Sequence, residues 1–339
     1  MPQAQRVPTI IDVAQRAGVS KSAASRALLG QGRISEESRQ RVLAAARELG
    51  YVKNAMAQGL SAQRTGALGV LVRDPASVFY GLMHQRLQSH AVGRGYRVVT
   101  ATGNLSVEDE VRALETLVSL RVEGLVISSG LLPTERIEAL AGRIPMVIAG
   151  RPESGELVGS VYCDEHDGAR QLVAHLVDLG HRSVAVLTVP MSSSLTLSAR
   201  SVEMVRELRH RGVDVLEIPL DTTDALNAQP GVRVLKNRPY ITALMCPSDF
   251  NSLAVLNELR GIGLRVPEDV SVTGYDGLPP LSAFAIGLTT LIQPIDTIAE
   301  RAVGAVAEII ATGEIAAHHV ALSGELRPGA TTGPARPRG

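Results

Sequence analysis

Residues 9–28, TIIDVAQRAGVSKSAASRAL, decide how this chain begins to fold. Ile10, Val13, Ala14 and Ala17 stand at i, i+3, i+4 and i+7, the spacing of one apolar face of an α-helix. Thr9 can cap the free amides of the first turn, and Asp12 sits favourably against the positive end of the helix dipole. Gly18 tolerates the left-handed backbone that stops a helix, and Ser20 is placed to cap a second helix from Lys21 to about Leu29. In that helix Ala23, Ala24, Ala27 and Leu28 can pack inward, which leaves Lys21, Ser22, Ser25 and Arg26 on other faces. A third helix is marked by Ser35 as cap, Glu36 and Glu37 in the first turn, Val42, Ala45, Ala46 and Leu49 as the apolar face, and Gly50 as stop. Two short helices across a tight turn, closed by a third, make a minimal all-α headpiece.

Charge sets this segment apart from the rest. The net charge of zero hides 10 Lys and Arg against 4 acids in residues 1–64, and 24 against 30 in the remainder. A small basic module on a mildly acidic body is the footprint of nucleic-acid binding, because cations near phosphates release condensed counterions. The polar positions early in the second helix are where a recognition helix offers side chains to the major groove, and an arginine there can bond guanine O6 and N7 together.

With 45% hydrophobic and 20% charged residues the composition is that of an ordinary globular protein, and no run of about 18 apolar residues exists to span a bilayer. The opening MPQAQRVPTIIDVAQ lacks an export signal, so a cytoplasmic location and no membrane role are expected. Cys163 and Cys246 are isolated, which supports neither a disulfide framework nor a zinc site; no metal or cofactor is expected.

The stretch Thr9 to Leu28 resembles the N-terminal signature of the lactose/galactose repressor (LacI/GalR) family. The resemblance continues through Ser35 to Leu49, then Gly50-Tyr51-Val52, then Asn54-Ala55-Met56-Ala57-Gln58-Gly59-Leu60, which is similar to the family's hinge helix. It implies that Lys21, Ser22 and Arg26 read bases and that Thr9, Ser20, Ser25 and Tyr51 touch phosphates. Asn54, Ala57 and Leu60 then belong to the minor-groove hinge, with Leu60 as a wedge at the central base step. Leu29 departs from the Asn common there. So short a hinge helix, weakened by Gly59, cannot be stable alone and should form only on DNA beside its twin. A plain linker, Ser61 to Gly66, is compatible with it.

From Gly66 onward, short apolar runs alternate with helical stretches: 67–72, 96–100, 124–128 and 145–149, then 183–187, 214–218, 243–246 and 270–273. The pattern reads as β-α repeats in parallel sheets, in two lobes of similar build. The resemblance extends here too, to about residue 327. Asp178-Leu-Gly-His-Arg182, Ser248-Asp249, Val266 to Asp276 and Leu288 to Pro294 match pieces of the family's periplasmic-binding-protein-like core. Ligands of open α/β sheets bind at the carboxyl ends of strands, which brings Arg73-Asp74, Phe79, Tyr80, Ser248, Asp249 and Asp276 towards one cleft. The resemblance implies effector contacts for Arg200 and Asp276, with Asp164 or Glu165 near the same cleft. A guanidinium and a carboxylate suit a polyhydroxylated or anionic molecule, which the resemblance implies to be a sugar or related metabolite, while either group alone could be half of a structural ion pair. Val189 and Glu203 stand where the family has glycines, Ser248 for Asn, and Ser77-Val78 for Asn-Pro. Glu203 is the departure expected to disturb the pocket most. Thr222 stands where the family often places an aromatic ring.

Cys163-Asp-Glu-His-Asp167 reads as a strand-to-helix junction with a cap rather than a metal cluster. Gly30-Gln-Gly32 and Gly261-Ile-Gly263 do not extend to a dinucleotide fingerprint, and His318-His319 reads as solvated. No nucleophile elbow or phosphate loop is present, so no enzyme is expected. The Pro-, Gly- and Arg-rich tail is expected to be disordered and carries no leucine heptads. The domains expected are a headpiece at 1–53, hinge and linker at 54–65, a two-lobed effector and dimerisation core at 66–327, and a disordered tail at 328–339. The whole reads as a homodimeric, effector-controlled repressor on a near-palindromic double-stranded operator. A regulator answering to a protein partner, or a solute-binding protein, are the alternatives.

Overall fold

Three caps start the three headpiece helices, α1 (Ile10–Ala17), α2 (Lys21–Leu29) and α3 (Glu36–Glu48). The Thr9 hydroxyl accepts from the Asp12 amide at 3.4 Å while the Asp12 carboxylate accepts the Thr9 amide at 2.7 Å, a reciprocal capping box. That pairing holds the Asp12 carboxyl below its usual range. Ser20 and Ser35 accept from the amides of Ala23 and Ser38 at 3.2 and 3.3 Å. Gly18, at φ +64°, ends α1 in the left-handed conformation that allows the chain to turn at once into α2. Val13, Ala14, Ala17, Ala24, Ala27, Leu28, Val42, Ala45 and Ala46 form the buried centre. Ala23, expected inside, is half-buried. Arg16 forks onto Glu48, tying α1 to the end of α3.

The computed structural model describes residues 6–30, 32, 34–52, 65–220, 232–279, 286–314 and 318–336. The chain divides into two units, Met1–Thr65 and Gly66–Gly339. In the second, the strands β1 (Ala67–Val72), β2 (Arg97–Thr102), β3 (Gly124–Ser128), β4 (Met146–Ala149), β5 (Gly159–Cys163) and β11 (His319–Leu322) form one sheet in the order β11-β5-β4-β3-β1-β2, parallel throughout. The other sheet has the order β12-β10-β9-β8-β6-β7, built from β6 (Ser183–Thr188), β7 (Asp214–Pro219), β8 (Ala243–Met245), β9 (Ser271–Asp276), β10 (Thr289–Ile292) and β12 (Glu325–Arg327), with only β12 antiparallel. Helices α4 (Val78–Gly93), α5 (Val107–Ser119), α6 (Thr134–Ala141) and α10 (Ile295–Thr312) belong with the first sheet; α7 (Glu165–Asp178), α8 (Leu195–His210) and α9 (Asp249–Gly261) belong with the second.

The central strands β1, β3, β4 and β9 are buried along their whole length, as parallel strands covered on both faces must be. Helix α10 lies close on the first sheet because Gly124 has no side chain; a Cβ there would stand 2.7 Å from Val306 Cγ2. The two lobes are not consecutive in sequence. The chain passes from one to the other after β5, returns after β10, and passes again between β11 and β12.

The expectation of a disordered tail from residue 328 is corrected. Through residue 336 the segment is strapped across the second lobe: Val272 donates to the Thr331 carbonyl at 2.8 Å, the Thr331 hydroxyl to the Val272 carbonyl at 2.7 Å, and Ala335 to the Leu179 carbonyl at 2.8 Å. Thr331 is buried. Composition misled because the tail is held by backbone and hydroxyl hydrogen bonds, which apolar content does not measure. His318 and His319 are both exposed, as expected, and His319 Nδ1 bonds Ser160 Oγ at 2.9 Å.

Candidate functional site

The polar face of the headpiece is built by α2. Lys21, Ser22 and Arg26 are exposed on it and Ser25 is half-buried. The Arg26 stem lies against Gly32, where a Cβ would come within 3.0 Å of Arg26 Cδ. Thr9 and Ser20 occupy the N-caps of α1 and α2, the ends at which backbone amides point outward and favour anions. Tyr51 is half-buried against the headpiece centre. Asn54, Ala57 and Leu60, with the rest of the expected hinge, lie outside the described residues, as does Thr222.

In the core, the second lobe gathers its polar side chains around one guanidinium. Arg200 on α8, 1% exposed, donates from Nε and Nη2 to the two carboxylate oxygens of Glu165 at 2.7 and 2.9 Å. Its Nη1 donates to the Pro247 carbonyl at 2.6 Å and to Asp276 at 3.2 Å, and the Tyr275 ring lies 3.7 Å beneath it. Burial disfavours the charge, yet Glu165 and Asp276 hold Arg200 more firmly protonated than usual. Asp276 ends β9 at φ +122°, a strained backbone for a residue with a side chain, and accepts from Gln293 Nε2 at 2.7 Å. Burial pushes its carboxyl up to about 7 against the pull of Arg200, and neighbouring Asp249 adds to the rise. Asp249 is itself raised by burial, to about 6, while accepting from Thr290 Oγ1 at 2.5 Å and the Leu278 amide at 2.7 Å. Ser248 caps α9 through the Asn251 amide. Asp164 caps α7 through the Asp167 amide at 3.0 Å.

The first lobe contributes Phe79 and Tyr80 at the start of α4, edge to face with centroids 5.3 Å apart. The Tyr80 hydroxyl, its pKa raised by burial, meets Arg73. Arg73 Nη2 reaches across to the Ser193 carbonyl at 2.5 Å, and the Leu195 amide donates to the Gly130 carbonyl at 2.8 Å, so the lobes touch along one edge. Beside this edge a small cleft of about 90 Å³ is lined by Thr134, Arg151, Pro152, Glu153, Leu195 and Thr196. The eight residues expected at the effector site are not on that lining. Five of them, Glu165, Arg200, Ser248, Asp249 and Asp276, are buried in the second lobe, and the two rings belong to the first.

Glu203, expected to disturb the pocket, bonds His166 Nδ1 at 3.1 Å and Arg206 at 2.7 Å instead. Burial pushes the thiols of Cys163 and Cys246 up to about 12, which leaves both protonated near neutral pH. Among the described residues no helix is long and apolar enough to cross a membrane.

Residues 9–54 match the description "bacterial regulatory proteins, lacI family", and residues 173–332 match "periplasmic binding protein-like domain". The HTH-type transcriptional regulator AscG of Escherichia coli K12 is 31% identical over 302 residues, covering 85% of this chain and 89% of the relative. The chain belongs to the lacI family of bacterial regulatory proteins. The HTH-type transcriptional repressor PurR of Erwinia tasmaniensis is 27% identical over 303 residues, covering 87% and 88%. Among solved structures, that of the lac repressor dimer bound to operator and the anti-inducer ONPF superposes with a TM-score of 0.84 at 26% identity, over 97% of this chain and 100% of that one. This lacI-family chain is therefore a DNA-binding transcriptional regulator and not an enzyme, with a helix-turn-helix headpiece and a two-lobed α/β core.

Reasoning from sequence missed four polar residues of this lacI-family core: Arg151, Glu153, Thr290 and Gln293. Thr290 and Gln293 lay inside the quoted motif Leu288 to Pro294, but what they bond is set 41 and 17 residues away. Arg151 directly follows Gly150 at the end of β4, so the rule that ligands sit at carboxyl ends of strands could have found it.

Proposed function

We propose that this regulator is a cytoplasmic homodimeric repressor that binds a near-palindromic double-stranded DNA operator and is controlled by a small molecule held between the core lobes. The observation that carries the reading is the exposed polar face of α2, with Lys21, Ser22 and Arg26 side by side on a basic headpiece that is joined to a two-lobed core. Lys21, Ser22 and Arg26 read base edges; Thr9, Ser20, Ser25 and Tyr51 hold phosphates. Asn54, Ala57 and Leu60 form the minor-groove hinge, in which paired Leu60 side chains open the central step. Phe79, Tyr80, Asp164, Glu165, Arg200, Ser248, Asp249 and Asp276 face the effector once the lobes rearrange around it. The lac repressor described as a dimer on operator with an anti-inducer supports the dimer, the operator and the ligand by likeness.

Selection of bound sequences from random duplexes, repeated with a panel of sugars and related metabolites, gives the operator and the sign of ligand coupling together. On that operator Arg26→Ala loses about 1–3 kcal/mol of binding and relaxes specificity at one base position. Equal losses on operator and on random DNA would remove Arg26 from base reading.

A further inference from the structure

Two arginines at the carboxyl ends of β1 and β4 in the first lobe, half-buried Arg73 and buried Arg151, keep guanidinium nitrogens without acceptors. Arg151, 3% exposed, gives Nη2 to Glu153 at 2.9 Å, but its Nε and Nη1 have no partner. Arg73, after β1, also leaves Nε without one. Buried donors are almost always satisfied, and a guanidinium has donors only, so a group that is acceptor-only is called for. Glu153 cannot serve further. Its Oε1 already accepts from Thr134 at 2.6 Å and from the Ser154 amide at 2.9 Å, and its Oε2 takes Arg151, so it fixes Arg151 in place. Glu110, whose field reaches both arginines, is buried and its carboxyl is pushed upward by that burial, which weakens it as a counter-charge.

The opposite wall of the same cleft is the first turn of the 16-residue helix α8. Leu195 and Thr196 line it facing Arg151, and that end of a helix carries partial positive charge.

We propose that the cleft between Arg151 and the N-terminus of α8 binds the oxyanion of a small metabolite, a carboxylate or a phosphate. The inference rests on the ligand-cleft reading above and narrows it from sugars in general to acidic or phosphorylated ones. The oxyanion bridges the lobes: Arg151 holds it from one side and the first turn of α8, at Thr196, from the other, since the Leu195 and Leu197 amides already donate to Gly130 and to Ser194 Oγ. A cavity volume of about 90 Å³ has room for the oxyanion itself, with the rest of the metabolite extending out of the cleft.

The test uses the full chain and two simple probes, sodium phosphate and sodium acetate, each compared with chloride at equal ionic strength. Melting of the core is followed by calorimetry. A site with a dissociation constant of about 5 mM raises the core Tm by roughly 3 °C at about 50 mM anion. The paired variant Arg151→Gln with Glu153→Gln removes both charges while retaining a side-chain hydrogen bond, and it loses most of that rise. Arg151→Lys keeps the charge without the planar fork and falls between. Arg26→Ala keeps the full effect, which separates the cleft from phosphate bound at the headpiece. A rise with phosphate alone assigns phosphorylated ligands, and with acetate alone carboxylated ones. No rise with either anion, or an equal rise in the paired variant, overturns the proposal. Absence of operator binding in the wild-type chain without ligand would count against the regulator reading instead.

Discussion

Replacing Glu165 with Ala isolates the central bond of the second lobe. In the intact chain both oxygens of Glu165 receive Arg200, at 2.7 and 2.9 Å, and the two residues are 7% and 1% exposed. The substitution strands two donors of a buried cation, leaving it only Asp276, whose own carboxyl is raised by burial, and one carbonyl. Breaking a buried pair from one side costs about 3–5 kcal/mol. At roughly 2–4 °C per kcal/mol for a domain of this class, the core Tm falls by roughly 6–20 °C, while the headpiece transition stays where it was. Scanning calorimetry on the full chain reads both. The double variant Arg200→Met with Glu165→Met recovers most of the loss, since a buried pair exchanged for apolar residues of similar volume is often neutral. A loss below about 1 kcal/mol for Glu165→Ala would refute the reasoning, because it would mean that water reaches Arg200 in the ground state.

Asp276 sets a pH dependence of unusual sign. Its folded pKa lies above the unfolded value, so its contribution to stability is complete below about pH 4 and is lost as pH rises towards 7. Asp276→Asn should therefore gain on the wild-type core by about 2–3 kcal/mol between pH 5 and 7 in paired melting curves; a constant offset would deny burial the leading role. Ending the chain after Arg327 removes the Thr331 and Ala335 bonds to Val272 and Leu179, and at about 1 kcal/mol each it lowers core stability by about 3 kcal/mol. An unchanged Tm for that shorter chain would show the strap to be idle. Thr9→Ala takes about 1 kcal/mol from the headpiece by circular dichroism melting, and Thr9→Ser restores it; equal loss in both variants would assign Thr9 to methyl packing rather than capping.

Legibility followed distance along the chain. Thr9, Ser20 and Ser35 could be read as caps because each bonds an amide three residues ahead, and Gly18 as a stop because its role is in its own backbone. The strand runs at 67–72, 124–128 and 183–187 were readable because buried parallel strands are apolar throughout. Strands β11 and β12 escaped because they are short and half-exposed, β11 carrying only three apolar residues in a row and β12 only one. For Arg200 the sequence favoured an effector contact and left a structural ion pair as the alternative. Its partners Glu165 and Asp276 lie 35 and 76 residues away, and only the fold chooses among distant carboxylates. The strapped tail shows the same limit: its bonds run to Val272 and Leu179, far from any local signal.

The crossings between lobes explain how a ligand could act on them. Asp164 stands at the first crossing and gives its amide to the Leu322 carbonyl at the third; Gln293 stands at the second and holds Asp276. The three connections are thus bonded to one another or to the Arg200 network, forming the hinge side of the core. On the opposite edge the lobes meet through few polar bonds, among them Arg73 to Ser193 and Leu195 to Gly130. A neutral bond of this kind is worth about 0.5–1.5 kcal/mol and the charged one from Arg73 about 1.5–3 kcal/mol, so the edge can part without disturbing the hinge. A ligand shifts the balance only by its unequal affinity for the parted and joined states. An oxyanion held by Arg151 and the first turn of α8 has that inequality built in, since its two halves of the site stand together only when the edge is joined. About 5.5 kcal/mol of difference would turn a core from almost wholly parted to almost wholly joined, and a charged bridge between two desolvated walls is among the few contacts able to supply a large share of it.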